Sequence, residues 1–234
     1  MSLVSCVALV ALASCVADAG GAWVEVPVAV AGTDMDAFEV RDGWTVELDR
    51  AEVAIGPLYL CASSSSGDLC ETARGEMLDT VVVDALDPTP RDVARLLSEA
   101  GSVRSVMHDY GITWQLTETA PGATTDAMSG HSVILEGTAR KGELEIRFET
   151  AVDVTPNREG VLVVRRTIDE HRVAEGDRLV LEVDPRDWLR DVRFDDWVEK
   201  SFGESVRFEP NDQAWRAVVV GMTATRRPVL RWER

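Results

Sequence analysis

From Glu143 to Glu149 the chain alternates charged and apolar residues without a break. Leu144, Ile146 and Phe148 fall on one side; Glu143, Glu145, Arg147 and Glu149 fall on the other. A period of two suits a strand with one face in a core and one in water, and it does not suit a helix. Arg140-Lys141-Gly142 supplies a turn just before this run, and His131 to Ala139 supplies a first arm, so the region predicts an antiparallel hairpin. The same period recurs where Trp44, Val46 and Leu48 alternate with Thr45, Glu47 and Asp49. It then slips by one residue to Ala51, Val53 and Ile55. A continuous strand there needs a β-bulge near Asp49-Arg50, because a one-residue slip otherwise turns every side chain to the opposite face.

Further strands are expected at Thr80 to Val83, Ser102 to Met107 and Ile112 to Leu116. Val161 to Ile168 and Arg178 to Val183 read as another antiparallel pair, and Val229 to Trp232 as a last short strand. Asp87-Pro88-Thr89-Pro90 precedes a stretch with helical signals. Thr89 suits an N-cap and Pro90 the first helical position; Val93, Leu96, Leu97 and Ala100 recur at helical spacing, and Gly101 suits the stop. Short helices are also expected after Asp184, carrying Trp188, and after Asn211 or Asp212, carrying Trp215, Val218 and Val219. Many short strands with few helices predict a mainly β fold, an antiparallel β-sandwich or open barrel with two or three short helices. The alternative is an α+β fold with helices on one sheet.

The amino terminus carries an address. An uncharged run from Met1 ends in Leu12-Ala13-Ser14-Cys15, and no charged residue precedes Asp18. The run is too short to span a bilayer as a helix but suits the core of a secretion signal, although it lacks the usual leading Lys or Arg. Its ending resembles the lipobox of bacterial lipoproteins. That resemblance implies cleavage before Cys15 and a diacylglycerol on its sulfur, a two-chain anchor sufficient for stable membrane attachment. The expected organisation is a signal peptide over 1–14, a tether over 15–36, in which Trp23-Val24-Glu25-Val26 is a candidate first strand, and one β-rich domain over 37–234. The implied location is the outer membrane or periplasm. An ordinary cleaved signal with Ala17 to Gly20 as the processing region, and a buried cytosolic strand, are the alternatives.

Cysteine use agrees with export. Once Cys6 leaves with the signal and Cys15 takes the lipid, Cys61 and Cys70 remain as an even pair around a small polar loop, which predicts a disulfide. The chain holds 41 acidic and 24 basic residues, a formal charge of −17. Such a surface disfavours phosphate backbones, so nucleic acid is excluded as an expected partner. Anionic headgroups are repelled too, which leaves the covalent lipid as the expected membrane contact and an envelope protein or small ligand as the unknown partner.

Motifs that carry chemistry are few. The chain has no phosphate-binding Gly-rich loop, no dinucleotide fingerprint, no His-Glu-x-x-His and no Gly-x-Ser-x-Gly elbow. Ser63 to Ser66 lie inside the expected disulfide loop. Met107, His108, Met128 and His131 flank two strands. Thioether and imidazole together suit copper, so these four residues form a candidate copper site if the strands converge. His171, in a charged turn, reads as solvated. Asp34, Asp36 and Asp42, and again Asp191, Asp195 and Asp196, form acidic clusters without the spacing of a calcium loop. Of the seven tryptophans, most fall at inward positions, whereas Trp23 and Trp232 are the candidates for an exposed binding platform.

Three stretches, Gly56 to Cys61, Asp109 to Trp114 and Gly130 to Ala139, resemble segments of uncharacterised secreted lipoproteins of the myxobacterial type. The resemblance extends from about Gly43 to Trp232 and implies an anchored β domain; it brings no catalytic residue. The function expected from sequence is therefore a lipid-anchored envelope protein with a non-catalytic binding domain. A periplasmic copper-binding protein is the alternative, and a hydrolase-type enzyme with an unrecognised site the third reading.

Overall fold

The computed structural model describes residues 21–64, 70, 72–114, 118–124, 127–201, 203–225 and 228–234. The signal segment and Cys15 lie outside the described residues. In chain order the strands are β1 (Trp23–Ala31), β2 (Phe38–Glu39), β3 (Thr45–Ile55), β4 (Leu58–Cys61), β5 (Ala73–Met77), β6 (Val81–Asp84), β7 (Arg91–Glu99), β8 (Gly101–His108), β9 (Ile112–Thr113), β10 (Gly122–Ala123), β11 (Val133–Lys141), β12 (Leu144–Val152), β13 (Val164–Val173), β14 (Arg178–Glu182), β15 (Val206–Arg207) and β16 (Val229–Glu233). Three short helices lie between β14 and β16: α1 (Arg186–Leu189), α2 (Val198–Ser201) and α3 (Gln213–Val220).

The fold is mainly β. An eight-stranded sheet has the order β13-β8-β4-β5-β7-β1-β14-β16, and a second sheet has the order β15-β12-β11-β3-β2, with β6 also paired to β3. Inner faces of both sheets share one apolar core: Val26, Val28, Leu58 and Leu179 from the first, Val46, Val53, Leu135 and Phe148 from the second. On the second sheet an aromatic group forms around Phe148, which stacks on Phe208 at 5.3 Å and contacts Phe194 at 5.4 Å. Trp44 and Trp197 complete the group. The helices bring Trp188 and Leu189 into the same core. Asp184 accepts from the Arg186 N–H at the start of α1, as expected from its capping chemistry.

The bulge falls where the phase slip requires it. Glu136 pairs with Arg50 and Gly137 with Leu48, so Asp49 is the extra residue on β3. Val46 on one side and Ala51, Val53 and Ile55 on the other are thereby all buried. Gly137 sits opposite, where a Cβ would meet the Glu47 carbonyl at 2.4 Å. The β11–β12 hairpin turns at Gly142 (φ +58°), with Ile146 and Phe148 inward. β3 then runs into β4 through a cis Gly56-Pro57 bond, which joins the two sheets at a corner.

Three expectations are corrected. The segment read as a helix from Pro90 to Ala100 is strand β7, hydrogen-bonded to β1 on one side and β5 on the other. Leu96 is 1% exposed and its neighbour Leu97 is 57% exposed, the alternation of a strand. A helix here would strand the facing ladder groups of β1 and β5, and that cost outweighs intrinsic propensity. Thr89 is held in a turn by the Asp87 carboxylate and caps no helix. The stretch read as tether supplies, from Trp23 onward, an interior strand of the large sheet, with Val26 and Val28 fully buried. Lastly, β13 and β14 do not pair. β16 pairs with β14 and meets β13 through side chains: His171 stacks on Trp232 at 4.2 Å, and Arg166 donates to the Pro228 carbonyl. The large sheet thus curls until its two edges nearly close.

Cys61 and Cys70 form the expected disulfide, with Cα atoms 5.6 Å apart and a sequence separation of 9. Loop-closure entropy for so short a ring amounts to about 2–3 kcal/mol. Replacing both cysteines by alanine is expected to lower the unfolding free energy by about that amount in urea titration; an unchanged midpoint contradicts it.

Candidate functional site

The structure separates the four residues proposed to hold copper. Met107 and His108 are consecutive on β8, so their side chains leave opposite faces of the sheet. Met107 packs in a small cluster with Cys61 and Leu162, bordered by Tyr59. His108 points the other way, edge-on to the core residue Tyr110 with centroids 4.9 Å apart, and its Nδ1 lies 3.1 Å from the Asp109 carbonyl. One ion cannot reach both. Met128 and His131 do sit together, joined by an isolated antiparallel bridge. His131 Nδ1 is 2.7 Å from the Asp153 carboxylate, on a partly exposed rim. Among the described residues no group of three or more His, Cys, Asp or Glu is arranged to hold a metal.

His171, read as solvated, is instead part of a structural latch. Its Nε2 lies 2.8 Å from Asp177 Oδ2, and Asp177 also accepts from the Ala174 N–H and from Arg234 Nε. Burial pushes the Asp177 carboxyl up, but these hydrogen bonds outweigh it and hold the group below its ordinary value. Trp232, the second platform candidate, is half-buried by its stack on His171. Both His–Asp pairs hydrogen-bond imidazole to carboxylate. In the second acidic cluster, Asp195 accepts from Trp44 Nε1 and from Lys141 Nζ.

One carboxyl is strongly perturbed. Asp109 follows β8 at the corner between the sheets, where its carbonyl accepts from Gly56 N–H and its N–H donates to the Pro57 carbonyl. It is 1% exposed. Burial pushes its pKa up to about 7 against the pull of the Val163 N–H and the Thr113 hydroxyl. Asp187 on α1 is also raised, by burial and by Asp184. The two lie on different elements, and neither lines the clefts at Trp23, His131 or Val219.

The outer face of the large sheet offers a different kind of site. β1, β7 and β5 are neighbours there, and the register sets Trp23 beside Glu99, with Glu25, Leu97 and Glu76 in one row. Trp23 is 63% exposed and Leu78, just past β5, is 60% exposed. With Leu97 they line an open cleft of about 380 Å³ that also includes Ala73, Arg74 and Glu76. Two ion pairs border it: Arg74 donates to Glu99 at 2.9 Å, and Arg95 to Glu25. The arrangement suits contact with an apolar or amphipathic surface and carries no catalytic constellation. Trp23 is legible in the sequence as a platform residue, whereas Leu97 and Leu78 are not. The helical spacing of Val93, Leu96, Leu97 and Ala100 puts Leu97 on a buried side, and its adjacency to Leu96 is the signal against that spacing.

No protein-family model matches the chain. No curated protein matches it in sequence. Among solved structures, MbnP from Methylosinus trichosporium is similar at a TM-score of 0.37 and 12% identity, over 84% of this chain and 86% of that one. A likeness at that level carries no argument about function.

The Asp109 carboxyl has a consequence for stability. Folded, it keeps its proton up to about pH 7; unfolded, it loses it near the ordinary 3.8. Between those values the folded state binds more protons, so the contribution of this group falls as pH rises from 3.8 to about 7. Asp109→Asn is expected to flatten that part of the stability profile, read by thermal melts across the range. An unchanged slope contradicts the assignment.

Proposed function

We propose that this chain is a lipid-anchored cell-envelope protein whose β-sandwich is a non-catalytic binding domain. The observation that carries the reading is the gathering of Trp23, Leu78 and Leu97 in one open cleft bordered by paired charges. Apolar side chains of that size are unfavourably hydrated when left exposed, and their clustering marks a contact surface. The Cys61–Cys70 disulfide supports an oxidising compartment, and the lipobox ending at Cys15 supports covalent attachment there. The resemblance to secreted lipoproteins agrees with both. Among the described residues no helix is long and apolar enough to cross a membrane. Attachment rests on the acyl group in this reading.

The copper alternative keeps Met128 and His131 side by side, while Met107 and His108 cannot both join them because they face opposite ways.

Mass spectrometry of the full-length protein extracted from bacterial membranes tests the proposal. The expected species begins at Cys15, carries a diacylglycerol and is two hydrogens lighter than the reduced chain. A chain that retains Met1 without lipid overturns it. Copper retained in the native spectrum and lost on His131→Ala transfers the assignment to metal handling.

A further inference from the structure

Resting on the proposed anchoring, we infer that the Trp23–Leu78–Leu97 face seats the domain on the bilayer that holds its lipid. The occupant of the cleft is then the headgroup–acyl interface itself. Eight positions separate Cys15 from Trp23. Even a fully extended chain of that length reaches only about 28 Å. The anchored cysteine therefore confines the start of β1 to the immediate neighbourhood of the membrane surface, and the apolar cleft opens at that end of the strand.

Composition of the face fits that surface. Indole is the side chain most at home at a membrane interface, since it offers a broad apolar body and one polar edge. Leu78 and Leu97 stand beside Trp23 and add apolar area for the acyl boundary. The chain carries 41 acidic against 24 basic residues, a balance that repels anionic lipid. On this face, however, Glu25 and Glu99 are each paired to an arginine, Arg95 and Arg74. Those two pairings offset part of the repulsion at this face. The arginine stems are long enough to carry their guanidinium groups toward lipid phosphates while the apolar residues sit deeper. Because the anchor already holds the domain at the bilayer, the face need supply no independent affinity. It fixes orientation at high effective concentration. With this side down, the remainder of the acidic surface points away from the lipid.

Bromolipid quenching tests the inference on the lipidated full-length protein. The protein is reconstituted into phosphatidylethanolamine–phosphatidylglycerol vesicles doped with phosphatidylcholine brominated on its acyl chains. Bromine quenches indole fluorescence only on close approach. The expected result is partial quenching that arises from Trp23 alone among the seven tryptophans, disappears in Trp23→Phe and is lost in Leu97→Glu. Circular dichroism confirms the fold of these two surface variants. Vesicle flotation is read on the same samples. Flotation without quenching, or quenching that persists in Trp23→Phe, overturns the seating and leaves the anchor standing. Failure of the wild type to float removes the anchor and the seating together. A photo-reactive residue at position 97 that crosslinks in cells to a protein instead of lipid overturns the membrane as occupant.

Discussion

The fold depends on one residue that β3 does not pair. Asp49 is excluded from the ladder to β11, and only this extra residue lets Val46 and the Ala51-Val53-Ile55 half face the same core. Without the bulge, one half of β3 turns its apolar set to solvent. β3 carries more of the structure than any neighbour in its sheet, because it pairs with β2, β6 and β11 and then passes through Gly56-Pro57 into β4 of the other sheet. A phase error in this strand propagates into both sheets. The aromatic group around Phe148 completes the dependence, since Trp44 enters it from the residue just before β3.

The large sheet achieves its shape differently. It curls until β13 and β16 meet, and the junction is made by side chains instead of a ladder. The stacked His171–Trp232 pair and the buried Asp177, with hydrogen bonds from His171, Ala174 and Arg234, close the seam. The Asp177 carboxylate is tolerated there because His171, the Ala174 N–H and Arg234 all bond to it. The corner at Asp109 follows the opposite logic. There burial dominates, and the carboxyl accommodates it by holding its proton. Two buried aspartates in one domain thus take opposite protonation behaviour for a physical reason: at Asp177 the donors outweigh burial, and at Asp109 burial outweighs the donors.

The candidate site depends on β7 more than on any motif. As a strand between β1 and β5, β7 sends Leu96 inward and Leu97 outward, next to Trp23 and across from Glu76. The cleft therefore arises from three segments distant in sequence, brought into register by backbone hydrogen bonds. Met107 and His108 show the same rule working against a site. Adjacent strand positions face opposite ways, so a sequence pair attractive for metal chemistry is split between the core and a satellite cluster.

Local pattern alone determined the mainly β character, the β11–β12 hairpin, the Asp49 bulge, the Cys61–Cys70 disulfide and the short helices after Asp184 and Asp212. Each is governed by near neighbours: a period of two, a turn glycine, a helical spacing of apolar residues or a short ring between cysteines. Tertiary structure alone decided that Arg91–Glu99 is a strand, that Trp23–Ala31 is an interior strand and not a tether, and that β16 separates β13 from β14. Those outcomes turn on hydrogen-bond partners supplied by remote segments. A residue's own propensity, worth a few tenths of a kcal/mol to about 1 kcal/mol, is small beside the cost of leaving a row of buried backbone groups unpaired.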